Sequence, residues 1–169
     1  MTAPLIHHIG ILVENLEDSI GRWTKATGYT FSPIARYRTS RYADDSDRTP
    51  HDHDARISFS DDGPPHIELM EFVGEGTHSA SQGEGFHHFG YMNFPDVETK
   101  MEELSDLGLR SNGQSIDENG RVLLWFTDKA DLDGIRLEYV SQDPQPIVAD
   151  DGSPLPADRD GKPDLWASA

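Results

Sequence analysis

The sequence contains no cysteine among its 169 residues. This excludes disulfide bonds, thiolate metal ligands and a cysteine nucleophile. The chain also has no apolar run long enough to span a membrane. Pro4, His7 and His8 interrupt the apolar stretch that an N-terminal signal peptide would need. From these absences we expect a cytoplasmic protein.

Basic residues are scarce as well, with 14 lysines and arginines against 31 acidic residues and a net charge of −17. Such a surface repels phosphate backbones, which argues against nucleic-acid partners and anionic membranes. The expected partner is a small-molecule substrate, and a homodimer is one arrangement that the sequence allows. Five of the basic residues fall in one local segment: Arg36, Arg38, Arg41, Arg48 and Arg56.

Patterns typical of strands and helices occur in the same order twice along the chain. The first copy has a buried strand at 5–13, a helix at 16–27, and strands at 33–42, 55–60 and 66–73. The second has a strand at 86–94, a helix at 97–107, and strands at 109–115, 121–127 and 135–141. Asn15 and Asp96 are predicted N-caps, and Gly28 and Gly108 are predicted to end the helices. The repeat predicts an α+β fold of two paired βαβββ modules that form a cupped, mostly antiparallel sheet.

The same patterns predict where the modules begin and end. The first module covers residues 1–73, a Gly/Ser-rich linker covers 74–85, and the second module covers 86–142. Residues 143–169 are rich in proline and aspartate and are predicted to form an extended arm. Near its end, Leu165 and Trp166 are candidates for docking on the body or on a second subunit.

A histidine doublet followed by a glycine opens each copy, as IHHIGIL at 6–12 and FHHFGYM at 86–92. Side chains alternate between the two faces of a strand. His8 and His88 are therefore predicted on the cup face, together with the glycine two residues further on, which leaves room beside them. His7 and His87 are predicted on the face that packs against the helices.

Matching glutamates occur in the closing strand of each copy, Glu68 in IELM and Glu138 in LEYV. Carboxylates in apolar strands are costly to bury unless they are paired or coordinated. Two imidazoles and two carboxylates suit one divalent ion such as Zn, Ni, Co, Mn or Fe. The remaining histidines are weaker candidates: His66 is a spare ligand, His51 and His53 are expected in a solvated loop, and His78 is expected to be a polar linker residue.

The segments HHIGILVENLEDSIGRWTKATGY and GFHHFGYMNFPDVETKMEEL resemble the module openings of the vicinal oxygen chelate superfamily, which includes glyoxalase, bleomycin-resistance and dioxygenase proteins. The resemblance covers roughly residues 5–141 and is closest to methylmalonyl-CoA epimerases and glyoxalase I. It implies metal ligands on the first and fourth strand of each module: His8, Glu68, His88 and Glu138. Glu68 departs from the glutamine common in epimerases, and the third strand, DARISF, lacks their extra carboxylate.

The resemblance further implies an isomerase, epimerase or lyase that abstracts a proton next to a metal-chelated carbonyl of a small, anionic or oxygen-rich substrate. Glu138 is the first candidate for the proton-transferring group and Glu68 the second. Arg36, Arg38 and Trp125 are candidate substrate contacts, although both arginines fit equally well as ordinary exposed strand residues. Two alternatives stay open: an Fe(II) ring-cleaving oxygenase of the same fold, and a non-catalytic protein that sequesters a ligand without metal.

Overall fold

A computed structural model describes residues 3–155 of the chain. The predicted docking of Leu165 and Trp166 lies outside the described residues. The elements, in chain order, are β1 His8–Val13, α1 Leu16–Thr27, β2 Ala35–Asp44, β3 His51–Phe59, β4 His66–Glu71, β5 Gly85–Phe94, α2 Val97–Asp106, β6 Ser111–Ile116, β7 Val122–Thr127, β8 Arg136–Ser141 and β9 Ile147–Ala149.

Both helices begin at the predicted caps. The Asn15 side chain accepts a hydrogen bond from the Asp18 amide, and the Asp96 side chain accepts one from the Thr99 amide. These bonds satisfy amides that would otherwise lack a partner in the first helical turn. Gly28 ends α1 with a φ of 81°, a left-handed conformation that favours glycine. Each helix follows the first strand of a βαβββ unit, so the predicted fold class is confirmed.

All nine strands belong to one sheet that curls back on itself. β1 pairs in parallel with β4 and antiparallel with β5, and β5 pairs in parallel with β8. β2 is hydrogen-bonded to β3 along one edge, while its end at Tyr42–Asp44 pairs with Gly113–Ser115 of β6. This last pairing closes the cup into a barrel, because every strand from β1 to β8 then has at least two neighbours.

Apolar residues on the two faces of the sheet form separate cores. Inside the barrel, Leu12, Ile57 and Phe126 belong to one buried cluster. Outside it, α1 covers a cluster around Leu16, and α2 covers a cluster around Val97. The inner face is therefore partly apolar, and polar side chains that point inward are enclosed.

Two differences from the sequence-based expectation add strand pairing, beyond shifts of a few residues at the ends of other elements. β3 begins at His51 rather than at residue 55, because the polar stretch 51–54 pairs with β2. The predicted arm contains the short strand β9, which pairs with Ala35–Tyr37 of β2. Its acidic end is held there because Asp150 bonds to Arg36 and Arg56. Within residues 3–155, neither helix has the length and apolar character needed to cross a membrane.

Candidate metal centre

The register of the two first strands brings the histidine doublets together. In the antiparallel β1–β5 pair, His8 lies opposite Gly90 and Gly10 lies opposite His88. A Cβ atom on Gly90 would overlap the His8 ring, and one on Gly10 would overlap the His88 ring. Each glycine therefore clears space for the histidine of the other copy. This explains why the doublet and its glycine occur together twice.

The parallel strand pairs add the two carboxylates. Glu68 on β4 lies beside Gly10, and Glu138 on β8 lies beside Gly90. Since neither glycine has a side chain, both glutamates reach across them toward the histidine rings. The four side chains predicted as ligands thus enter one place from four neighbouring strands.

Distances between the ligand atoms are short. His8 Nε2 lies 3.0 Å from His88 Nε2 and 2.8 Å from Glu138 Oε2. Glu68 Oε2 lies 3.5 Å from His8 Nε2 and 3.3 Å from His88 Nε2. Donor atoms of His8, His88 and Glu138 all lie within 4.8 Å of one another, as a metal site requires. Glu68 flanks this group of three.

The centre is enclosed and strongly charged. His8 and His88 are at most 1% exposed, and Glu68 and Glu138 are 6% and 5% exposed. Burial alone would lower the pKa of His88, but the facing carboxylates of Glu138 and Glu68 outweigh it and raise that pKa to about 9. Burial alone would raise the pKa of Glu138, but His88 and His8 outweigh it and lower that pKa. His88 and Glu138 thus stabilise each other's charged forms.

The donor set fits a divalent ion. Despite the short contacts, Oε2 of Glu68 and Oε2 of Glu138 are buried without a well-directed hydrogen bond. Buried carboxylate oxygens are normally paired, hydrogen-bonded or coordinated. Carboxylate oxygens and imidazole nitrogens that crowd a common point satisfy this rule if a cation lies between them.

The first histidine of the second doublet orients the second. His87 Nε2 lies 2.8 Å from the carbonyl oxygen of Thr77 and therefore carries the proton. Burial keeps the pKa of His87 well below its usual value, so the ring is neutral and its Nδ1 is bare. That Nδ1 lies 2.9 Å from Nδ1 of His88 and accepts a hydrogen bond from the N–H there. In this tautomer His88 Nε2 is free to ligate a metal.

His7 and His8 repeat the contact, with 2.9 Å between their Nδ1 atoms. The prediction that His7 and His87 pack toward the helices is wrong. His87 contacts His78 and Phe126, and His7 contacts Phe59, all on the inner side. For His87 the reason lies in the β1–β5 register, which shifts between Gly10 and Ile11 and leaves His87 as an extra residue in β5. Such a bulge re-aims a side chain. His7 precedes β1, which begins at His8, so the alternation of that strand does not fix the direction of its side chain.

A small cavity of about 30 Å³ opens beside the carboxylates, and two unexpected histidines line it. His53 is 9% exposed rather than solvated, because it points inward from β3 two residues before Ala55. His78 is 5% exposed, although it lies in the stretch between the modules. Extending the alternation of β3 backward by two residues could have found His53. No local sequence pattern predicts that His78 is buried.

The other candidates lie away from this cavity. Arg36 pairs with Asp54 and Asp150, and Arg38 pairs with Asp54 at the wall of an outer cleft. Trp125 packs under α2 with Val97 and Tyr139, because it alternates with the inward-facing Leu124 and Phe126 on β7.

His66, the spare ligand candidate, does not converge with the four predicted ligands. Its Nδ1 hydrogen-bonds to the Ser60 carbonyl oxygen, and its ring stands beside that of His7, with 5.1 Å between ring centroids. It therefore lies next to a histidine that supports a ligand, rather than in the group of ligand atoms.

Comparison with known proteins places this geometry in context. The family model described as Glyoxalase/Bleomycin resistance protein/Dioxygenase superfamily matches residues 7–123. No curated protein matches the sequence.

Solved structures with a similar fold include a hypothetical protein from Bacillus halodurans C-125, with 18% identity, a TM-score of 0.60, and coverage of 85% of this chain and 98% of that one. Methylmalonyl-CoA epimerase from Mycobacterium tuberculosis has 18% identity, a TM-score of 0.54, and coverage of 85% and 94%. A Streptomyces coelicolor methylmalonyl-CoA epimerase in complex with 2-nitronate-propionyl-CoA has 19% identity, a TM-score of 0.51, and coverage of 83% and 95%. At these identities the likeness shows a shared fold.

Proposed function

Because the chain belongs to the glyoxalase, bleomycin-resistance and dioxygenase superfamily, we propose that it is a divalent-metal-dependent isomerase, epimerase or lyase. In this proposal the reaction is abstraction of a proton from a carbon next to a carbonyl group. The observation that supports it most is the convergence of two histidines and two glutamates in a buried centre whose carboxylate Oε2 atoms lack hydrogen bonds.

In the proposed enzyme, His8, His88 and Glu138 hold the ion, with Glu68 as the fourth ligand. A divalent ion held by these residues would supply Lewis acidity, which would make a C–H next to a chelated carbonyl more acidic. Four protein ligands leave little room for the binding of molecular oxygen as well, which favours proton transfer over oxygenation.

The chain's own residues carry the proton. The carboxylate of Glu138 is the first acceptor for the abstracted proton, and that of Glu68 is the second, because both are buried and border the cavity. Two carboxylates from strands on opposite sides of the β1–β5 pair allow one to remove a proton and the other to return it. Apolar walls such as Met70 and Leu124 exclude water, which limits loss of the abstracted proton to solvent.

Elemental analysis of the purified protein tests the metal directly. We expect one divalent ion per chain in the wild type and in a His51→Ala control, and a loss of stoichiometric metal in His88→Ala. Wild-type protein that contains and binds no divalent ion would refute the proposal and favour the ligand-sequestering alternative.

Deuterium incorporation tests the reaction class. Metal-loaded protein is incubated in D₂O with a panel of 2-hydroxy and 2-oxo carbonyl compounds, and mass spectrometry measures exchange next to the carbonyl. We expect exchange that requires metal and disappears in Glu138→Gln. Oxygen consumption in place of exchange would favour the Fe(II) oxygenase alternative.

A further inference from the structure

We propose that the cavity beside the metal centre binds an uncharged, oxygen-bearing substrate whose second oxygen function hydrogen-bonds to His78, and that it does not bind a coenzyme A thioester. This inference rests on the proposed function and names the substrate class for that site. It departs from the anionic substrate considered from the sequence alone.

The proposal rests on His78, because one of its ring nitrogens is buried without a hydrogen-bond partner. Its Nδ1 atom has no hydrogen bond, although the side chain is only 5% exposed and lines the cavity that also contains Glu68 and Glu138. The ring is held in place by stacking on His87, with 5.0 Å between centroids and an interplanar angle of 24°. A fixed polar atom without a partner, on the wall of the cavity that borders the carboxylates, is a natural contact for an oxygen atom of a metal-bound substrate.

The wall around His78 carries no positive charge. Burial lowers the pKa of His53 to about 4 and keeps that of His78 well below its usual value, so both rings are neutral at physiological pH. Among the residues that the structure describes, no lysine or arginine lines this cavity, whereas two carboxylates do. A carboxylate or phosphate placed here would therefore lack a cation other than the bound metal.

Both outer clefts that adjoin the cavity are acidic. His53 lines the inner cavity and both clefts, so this one residue borders all three spaces. One cleft, of about 820 Å³, is lined by two arginines and four carboxylates, and Arg38 is already paired with Asp54. The other cleft, of about 630 Å³, is lined by three carboxylates and no lysine or arginine.

This charge pattern opposes the tail of a coenzyme A thioester, whose phosphates would have to lie in one of these clefts while its acyl group occupied the cavity. Like charges within a Debye length of about 8 Å repel at physiological ionic strength. Uncharged substrates avoid this cost. The aromatic and apolar walls, including Tyr37 and Phe126, favour an unsaturated carbon skeleton.

The test uses the full-length protein loaded with Co(II), whose visible spectrum reports ligand binding independently of activity. Kojic acid and maltol share one hydroxy-ketone chelating pair, but only kojic acid carries an additional hydroxymethyl oxygen. We expect both to bind more tightly than methylmalonyl-CoA and malonate. His78→Phe, which keeps a stacking ring, should weaken kojic acid about fivefold, the value of one net hydrogen bond, and leave maltol unchanged.

Two further variants serve as controls. His78→Gln retains a donor and should bind kojic acid within about twofold of the wild type. Tyr91→Phe loses a polar atom from the α2 side of the sheet and should bind both compounds normally. Equal kojic acid affinity in wild type and in cobalt-loaded His78→Phe would overturn the inference, as would tighter binding of methylmalonyl-CoA. Wild-type protein that binds no cobalt would instead refute the proposed function, and this inference with it.

Discussion

Replacing Gly90 by alanine should damage the metal centre from a position that carries no ligand. The added Cβ would lie 2.6 Å from His8 Nδ1 and closer still to Cε1 and Nε2 of the same ring. Ordinary contact begins at 3.4 Å, so the ring must shift by more than 1 Å. Metal–ligand distances tolerate only about 0.2 Å. We therefore expect Gly90→Ala to lower metal affinity at least about 10-fold and to cost about 1–3 kcal/mol in stability through overpacking.

Isothermal titration with Zn(II) and thermal unfolding of the metal-free protein measure the two effects separately. Gly21→Ala is the matched control, because Gly21 lies in α1 with nothing within 4 Å of its would-be Cβ. That change should leave metal binding intact and stabilise the protein by about 0.5–1 kcal/mol, the helix propensity difference between alanine and glycine. If Gly90→Ala binds zinc as tightly as Gly21→Ala does, the role assigned to the glycine is wrong.

Three further predictions concern histidines and a carboxylate near the centre. His87→Phe removes the acceptor for the His88 Nδ1 proton and should weaken zinc binding about 10–100-fold by titration, with His51→Phe unchanged. Glu138→Gln should abolish metal-dependent deuterium exchange, and undiminished exchange would exclude Glu138 as the base. Burial lowers the pKa of folded His53 to about 4, from 6.5 in the unfolded chain. As the pH falls below 6.5, the unfolded chain therefore binds a proton that the folded protein does not, and the folded protein loses stability. Chemical denaturation should show that the wild type loses about 2 kcal/mol more than His53→Phe between pH 7 and pH 5; equal losses would contradict the assigned burial.

Much of the fold can be predicted from local patterns. Asn15 and Asp96 cap their helices because the capping bond is made within three residues of the cap. Alternation along β4 and β8 places Glu68 and Glu138 on the inner face because the side-chain period of a strand is two. The repeat between the two copies then pairs each histidine with a glutamate. All of these depend on short-range geometry.

The residues that the patterns misplace owe their position to other parts of the chain. His87 points inward because β5 gains a bulge against β1. Solvent would surround His78 in an isolated linker, but here it packs against His53, which is 5.0 Å away between ring centroids, and against Phe126. Arg36 is engaged by Asp150, which is more than a hundred residues away in sequence. The positions of these side chains cannot be predicted from the residues next to them in the sequence.

The sequence by itself therefore determined two βαβββ units, their caps, and four inward-facing ligand candidates, because these follow from periodicity and repetition. Only the tertiary structure decided what the doubled His-His-x-Gly motif does. The antiparallel register sets each glycine against the histidine of the other copy. The bulge makes the first histidine of the second doublet the support for the second. Closure of the barrel between β2 and β6 encloses a cavity beside the centre that no lysine or arginine of residues 3–155 lines, because strand pairing between distant segments sets which side chains face one another.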